Sequence, residues 1–599
     1  MEVLRLSEHL AGHHFENRNE MFALFEREPE LFRPRHDLGM RESRELLMRR
    51  WERLHELGYF KNTITSRNPE DHLRRIAMSE TCEYLDHSLS VKMGVNYGLF
   101  GGAVAGLGTE EQRDYWLPKV ERKEIIGCYG LSELGAGSNV RGIRTTATYD
   151  PGSRSFVLHT PTDGAQKYWI GGAAESACHC SVFAYLIVDR KRRGIHGFVV
   201  QIRDSIGGSP VHGVTIADCG DKWGLNGVDN GRIWFDRVKI PRSNMLMKLS
   251  QVSEDGHYTS IVQSENELFG RTLAPLTSGR VSIIFSALNE MKVGTSIAIP
   301  YAKSRQVFDK ELMSVQTHRH RLLPYVCGTL VMNIVANPLK LRLYESGLVI
   351  SKKFHVLSAG LKALSTWEME RCLQECREAC GGQGMLSENR VGPLLSEFNV
   401  TTTFEGDNHV MVQQASKVVV SMYMEGLKQG EFSGDLDFLN REELPLQAEP
   451  NDMSFILELM RRRVRGLLPA LVPTSGTREA AEKELVLFEE VGTAFCDLLI
   501  FESFEKELND SAGLPCKDLL MKAGLIYGLS RIDRDSTFSR SGALSSDASW
   551  SVRRTYMKEL DRFVESGMMD SAIEAFRVPD FLKAPICGDW LSHNAKARL

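Results

Sequence analysis

The period of the hydrophobic pattern changes twice along this 599-residue chain, and that limits the folds open to it. Up to about residue 120 the apolar positions recur at helical spacing. Within this stretch Thr109-Glu110-Glu111-Gln112 reads as a capping box and Pro118 as the stop of the element it begins. From about 125 to 245 the pattern becomes short β-branched and aromatic runs at 145–149, 156–159, 182–188, 198–202 and 233–238, with Asp150-Pro151-Gly152 and Asn230-Gly231 as turns. Helical periodicity returns at about 265 and holds to about 430, including 278–291 and 350–380; the polar stretch 429–451 reads as a linker, and more helices follow. The expected architecture is α+β. It comprises an N-terminal helical domain (1–122), a central β domain built as a small barrel (123–250), and two C-terminal helical-bundle domains (251–430 and 431–599).

A chain of this length can bury large cores and a cofactor. Its 73 basic and 78 acidic residues leave a net charge of −5, with no footprint for nucleic acid. The runs Arg461-Arg462-Arg463-Val464-Arg465 and Lys191-Arg192-Arg193 read as solvated faces. Twelve cysteines without paired Cys-x-x-Cys units make neither a disulfide framework nor a zinc site and fit a reducing compartment. Cys372, Cys376 and Cys380 share a helical face and are expected to pack a core, and His9, His13 and His14 belong to a polar helix face, so no metal is expected. The N-terminus lacks a basic region followed by an apolar core, and the uncharged stretch 93–108 falls short of the ~20 residues of a spanning helix, so a soluble protein is expected.

Thr403-Phe404-Glu405-Gly406-Asp407-Asn408 places one carboxylate between an aromatic ring and a residue without a side chain. Desolvation there would raise the carboxyl pKa from roughly 4.3 towards the ~6–7 that suits a general base. Gly406 would admit close approach of a flat ligand or of backbone. The plain alternative is a Glu-Gly pair at a turn boundary. Two further motifs accompany it. One is Tyr129-Gly130-Leu131-Ser132-Glu133-Leu134-Gly135-Ala136-Gly137-Ser138-Asn139-Val140, followed by Thr145-Thr146-Ala147-Thr148 and Lys167-Tyr168-Trp169-Ile170-Gly171-Gly172. The other is Ala379-Cys380-Gly381-Gly382-Gln383-Gly384, whose loop leaves backbone amides available to phosphate oxygens.

With these motifs in this order, the chain resembles the acyl-CoA dehydrogenase and oxidase superfamily, and most closely the acyl-CoA oxidases, over nearly its whole length. Gly108 to Gln112 with Leu117-Pro118, and Ala575-Phe576, Pro579-Asp580 and Ala584-Pro585-Ile586, extend the match. The resemblance implies an FAD enzyme that takes the α-proton of a fatty acyl-CoA, transfers a hydride from the β-carbon to the flavin and releases trans-2-enoyl-CoA. It makes Glu405 the catalytic base, with Glu133 as the competing carboxylate. It assigns Tyr129, Leu131, Ser132, Gly137, Ser138, Gly171, Gly381 and Gly382 to the flavin, and Arg305 and Gln316 to the flavin of the other subunit of a homodimer. Arg280 is the expected coenzyme A phosphate contact. Met385 departs from the pattern, which has an aromatic residue there. The extra C-terminal helical block and the ending Ala597-Arg598-Leu599, a variant of a peroxisomal import address, favour an oxidase that uses O2 in the peroxisome, with the cytoplasm as the alternative. The competing readings are a dehydrogenase that uses an electron-transfer flavoprotein, and a catalytically silent acyl-CoA-binding homologue.

Overall fold

The capping box at Thr109 forms. Thr109 Oγ1 accepts from the Gln112 N–H at 3.3 Å and Gln112 Oε1 accepts from the Thr109 N–H at 3.0 Å, opening the helix Glu110–Glu121. Pro118 does not stop this helix, which runs on to Glu121. The capped first turn and the buried Trp116, Leu117 and Val120 hold it despite the missing proline N–H. The computed structural model describes all residues except 274–275, 346–351, 444–451, 475–482, 511–512 and 597–599. The expected import tripeptide therefore lies outside the described residues, as does part of the expected linker. The chain forms two compact units, Glu16–Gly279 and Met1–Phe15 with Arg280–Leu599.

In the first unit, after helices including Met40–Glu56 and Pro69–Glu83 and before the short hairpin Ser250–Val252/Tyr258–Ser260, come nine strands. These are β1 Gly127–Gly130, β2 Thr146–Asp150, β3 Ser155–His159, β4 Lys167–Gly171, β5 His179–Val188, β6 Lys191–Gln201, β7 Val214–Asp218, β8 Asn230–Phe235 and β9 Val238–Pro241. The nearly continuous burial of β5 suits the centre of a sheet. Antiparallel β6 pairs along its length, while β1 and β2 lie parallel to it, against His179–Val182 and Tyr185–Ile187 respectively. The sheet continues from β2 to β3 and β9, and β4, β8 and β7 form a second, antiparallel sheet. Where a barrel was expected, the pairings described among β1–β9 give two sheets and no closed ring. Asn230-Gly231, expected as a turn, opens β8 instead, because a Cβ at Gly231 would meet Ala174 N at 2.7 Å and only glycine permits that approach.

The second unit is helical, and includes Leu276–Ser304, Gln316–Glu345, Lys352–Ala379, Asn408–Gln429 and Leu485–Asp510. The small hairpin Gln306–Val307/Lys310–Glu311 interrupts the stretch read as continuous helix. The segment Gln316–Leu343 is long and apolar enough to cross a membrane, and 89% of its most apolar window is buried inside the protein. Cys372, Cys376 and Cys380 pack the core as expected. Arg463 overturns the reading of 461–465 as a solvated face: it is 1% exposed and donates to Asp497 at 2.9 Å and Asp535 at 2.5 Å. Two carboxylates balance the buried guanidinium, a pairing that no local charge pattern announces.

Candidate active site

Glu405 lies in the turn between the short helical segment Asn399–Thr402 and the helix Asn408–Gln429. Glu405 has φ +52° and Gly406 φ +111°, so two successive residues leave the common backbone regions. A Cβ on Gly406 would stand 2.5 Å from Met411 Cε. The glycine is thus required by the turn and by the methionine beside it, a reason distinct from the ligand approach suggested by sequence. Asp407 begins the next helix, its Oδ1 accepting from the N–H groups of His409 at 3.0 Å and Val410 at 3.4 Å.

Two cations flank the turn. Arg280, on Leu276–Ser304, points Nε at the Glu405 carbonyl at 3.4 Å. Lys362, on Lys352–Ala379, donates to the Gly406 carbonyl at 2.8 Å and to Asn408 Oδ1 at 3.0 Å. Neither makes a hydrogen bond to the Glu405 carboxylate. Its Oε2 is fully screened from solvent and has no hydrogen-bond partner, although the residue as a whole keeps some accessible surface. Burial pushes the Glu405 carboxyl up to about 7, opposed by the charges of Arg280 and Lys362. Burial likewise pushes the Lys362 ammonium down to about 7, opposed chiefly by Glu405. An apolar cluster of Ala359, Ala363, Met411 and Val412 adjoins the turn. A carboxyl of this kind, its proton affinity raised by burial and its Oε2 without a hydrogen-bond partner, is equipped to take a proton.

In the other unit the fold joins two of the sequence motifs. Tyr168 N–H donates to the Ser132 carbonyl at 3.0 Å, Leu134 N–H to Gln166 at 3.1 Å and Gly135 N–H to Gly164 at 2.8 Å. Leu131 and Tyr129 are buried, Tyr129 with its ring centroid 4.9 Å from Phe183, while Ser132, Gly137 and Ser138 are exposed. Gly137 has φ +52°. Gly171 pairs with Asn230, and a Cβ there would press on Val95 and Val228 at 3.3 and 3.4 Å. Glu133 is 3% exposed and its carboxylate accepts from Arg144 N, Thr145 N, Thr145 Oγ1 and Lys167 Nζ at 2.6–3.0 Å. With its lone pairs engaged, Glu133 serves as a structural anchor of this loop.

Gly381 and Gly382 begin the turn Gly381–Met385, where Gly381 has φ +58° and a Cβ on either would meet no atom within 4 Å. Met385 is 71% exposed, so the expected departure from the aromatic pattern removes nothing from the core. Arg305 and Gln316 flank the hairpin Gln306–Val307/Lys310–Glu311, Arg305 with its guanidinium 5.0 Å from the Trp590 ring and Gln316 exposed. Taken separately, the open glycine turn leaves room for a phosphate beside Gly381 and Gly382, and the buried carboxylate oxygen without a hydrogen-bond partner suits a weakly acidic substrate.

Sequence reasoning missed two residues. Trp169 occupies an irregularity in β4, with φ +65° and 58% exposure. A large aromatic ring held out of the core in a strained backbone marks a contact surface. Lys362 was legible only as one charge in the apolar run Ala359-Gly360-Leu361-Lys362-Ala363-Leu364.

Comparison with known proteins gives three family matches: "Acyl-coenzyme A oxidase N-terminal" over residues 2–126, "Acyl-CoA dehydrogenase, middle domain" over 128–238 and "Acyl-CoA oxidase, C-alpha1 domain" over 273–420. The chain is similar to acyl-coenzyme A oxidase 3, peroxisomal, of Arabidopsis thaliana, with 39% identity over 99% of this chain and 92% of the relative. Among solved structures it is similar to acyl-CoA oxidase 3 of Yarrowia lipolytica, with a TM-score of 0.90 and 27% identity over 100% of this chain and 91% of that one. Acyl-CoA oxidase-2 of Caenorhabditis elegans, solved with FAD, ascaroside-CoA and ATP, shares the fold with a TM-score of 0.86 and 24% identity over 100% of this chain and 92% of that one.

Proposed function

The chain belongs to the acyl-CoA oxidase family, and from that membership we propose that Glu405 is the base that removes the α-proton of a fatty acyl-CoA thioester. The protein is an FAD-dependent oxidoreductase that converts acyl-CoA to trans-2-enoyl-CoA in peroxisomal β-oxidation, with electrons passing to O2 to give H2O2. The observation that carries the assignment of Glu405 is its buried, partnerless Oε2. FAD, when bound, supplies the acceptor for the hydride that leaves the β-carbon. The chain's own task is to hold the carboxylate on the α-carbon side, keep water from it and accept the proton there.

The residues we assign to FAD are Tyr129, Leu131, Ser132, Gly137, Ser138, Trp169, Gly171, Gly381 and Gly382. Exposed Arg and Gln side chains are ordinary, but Arg305 and Gln316 bracket a hairpin whose tip residue Phe308 is 95% exposed. That supports a homodimer in which they reach the partner's cofactor. Arg280, expected at a coenzyme A phosphate, lies beside the base and is assigned to the thioester end of the substrate. The proposed domain boundaries remain 1–122, 123–250, 251–430 and 431–599, and Ala597-Arg598-Leu599 is the proposed ligand of an import receptor.

Anaerobic mixing of the purified, yellow protein with a series of acyl-CoAs, followed by admission of air, tests this reading. Bleaching by acyl-CoA and rapid reoxidation with H2O2 release are expected. Bleaching without reoxidation by air would assign a dehydrogenase, and a protein that binds acyl-CoA without bleaching would be the silent homologue. Dilution to monomer should release flavin; monomers that keep it would overturn the cross-subunit assignment.

A further inference from the structure

The base sits on a turn that its own sequence does not favour. Residues with side chains disfavour the left-handed region, and Glu405 adopts φ +52° immediately before Gly406 at φ +111°. Such a turn persists only where its surroundings over-determine it. Three restraints act on it: the Asp407 cap, the Arg280 contact to the Glu405 carbonyl, and Lys362. Lys362 is the most deeply built of these. It is 0% exposed, and Asn408, which receives one of its hydrogen bonds, is 1% exposed and donates to Thr366 Oγ1 at 2.8 Å and to the Ala363 carbonyl at 3.3 Å. Thr366 Oγ1 in turn donates to the Lys362 carbonyl at 2.9 Å. The network closes on one helix, Lys352–Ala379, so the turn is tied to a rigid element and not to another loop.

A fully buried ammonium is costly, and a purely structural turn would be served by a neutral donor. The charge is attracted first by Glu405 and more weakly by Asp407, whose carboxylate already accepts from the backbone of its own helix. We propose that Lys362 is the positioning residue of this site: its hydrogen bonds to Gly406 and Asn408 clamp the left-handed turn that aims Glu405, and its ammonium favours the ionised carboxylate. The inference rests on the reading of Glu405 as the base. The other charged groups around it are accounted for. Arg280 acts on both Glu405 and Lys362, Asp407 adds a weaker attraction to Lys362, His355 is pushed down by burial and Arg280, and His409 pairs with Glu489 at 2.8 Å.

Lys362→Met and Lys362→Gln, prepared as FAD-loaded proteins, separate the two parts of this role. Methionine removes the charge and the hydrogen bonds, whereas glutamine keeps a donor and removes only the charge. Anaerobic stopped-flow reduction by lauroyl-CoA across the neutral pH range is the readout, with thermal melting and lauroyl-CoA affinity alongside. Lys362→Met is expected to lower the limiting reduction rate about 10- to 100-fold with little change in affinity, the effect of a misplaced base. Both variants are expected to move the acid limb of the pH profile upward by about one pH unit, because an opposite charge near the base has been lost. Wild-type rate and limb in both variants, with only a lower melting temperature, would reduce Lys362 to a structural lysine and overturn the proposal. If Lys362→Met does not retain FAD, Lys362→Gln decides through the position of its limb alone. Glu405→Gln in the same assay keeps the two failures apart. An inactive Glu405→Gln beside wild-type Lys362 variants rejects only the clamp, and a Glu405→Gln that reduces normally rejects the base and the clamp together.

Discussion

Replacing Glu405 by glutamine is expected to stabilise the protein above neutral pH while removing its chemistry. The carboxyl ordinarily titrates at 4.5 and is pushed up to about 7 in the fold, mainly by burial. That difference of about 2.5 pH units corresponds to about 3 kcal/mol at roughly 1.4 kcal/mol per unit. The sign follows from proton counting. Between about pH 4.5 and about pH 7 the unfolded chain has lost the proton and the native chain retains it, so stability falls as pH rises through that window and the full cost stands above it. Glutamine never ionises and is nearly isosteric, so the variant is spared this cost. Lys362, pushed down to about 7, brings a pH dependence of opposite sense; Glu405 is the chief group opposing that depression, so the variant pushes Lys362 lower and offsets part of the gain. Melting curves of wild type and Glu405→Gln at about pH 5 and about pH 8 should coincide more closely at the lower pH and separate by a few °C in favour of the variant at the higher. In stopped-flow bleaching by acyl-CoA, the same variant should lose about 10²–10⁴ in rate, the usual contribution of a placed base, with substrate affinity nearly unchanged. A variant that is less stable at every pH and bleaches normally would show that Glu405 is a structural carboxylate, and the reasoning from its buried oxygen would fall.

Three further outcomes follow from the same geometry. Gly406→Ala must place a Cβ 2.5 Å from Met411 Cε at φ +111°, and should cost at least about 1–3 kcal/mol in stability, read as a lower melting temperature, and slow flavin reduction. Glu133→Gln leaves buried Lys167 without its counter-charge and should destabilise by about 3–5 kcal/mol, seen as a lower melting temperature, with a normal reduction rate per bound flavin. Trp169→Ala should lower FAD occupancy, read from the ratio of flavin to protein absorbance, without lowering the melting temperature of the apoprotein, since the ring is 58% exposed and holds no core. Full occupancy in that variant would remove Trp169 from the cofactor's contacts.

Strands were legible where β-branched runs impose their period locally: four of the five expected runs overlap single observed strands, β2, β3, β5 and β6, whereas β1, β4 and β7 had no such run. The fifth, 233–238, spans the end of β8 and the start of β9. Whether the strands close into a barrel was not legible, because which edges pair depends on crossovers between residues far apart, such as β1 and β2 sharing one edge of β5. Arg463 shows the same limit: its basic neighbourhood suggests solvent, yet Asp497 and Asp535, 34 and 72 residues away, make burial possible. Pro118 and Asn230-Gly231 mislead for a related reason, since a local breaker yields when surrounding packing rewards continuation.

The helix–strand–helix order was readable from the sequence alone, and so was the candidate carboxylate Glu405, because periodicity and a short motif around one Glu are properties of neighbouring residues. Only the tertiary structure decided what that carboxylate is like. Burial sets its proton affinity, and the cations that oppose burial come from positions 280 and 362, on two helices remote in sequence. Likewise Glu133, the competing carboxylate in the sequence, became an anchor once Lys167 and the backbone of Arg144 and Thr145 closed around it. Desolvation and charge act through space, and no pattern along the chain contains those distances.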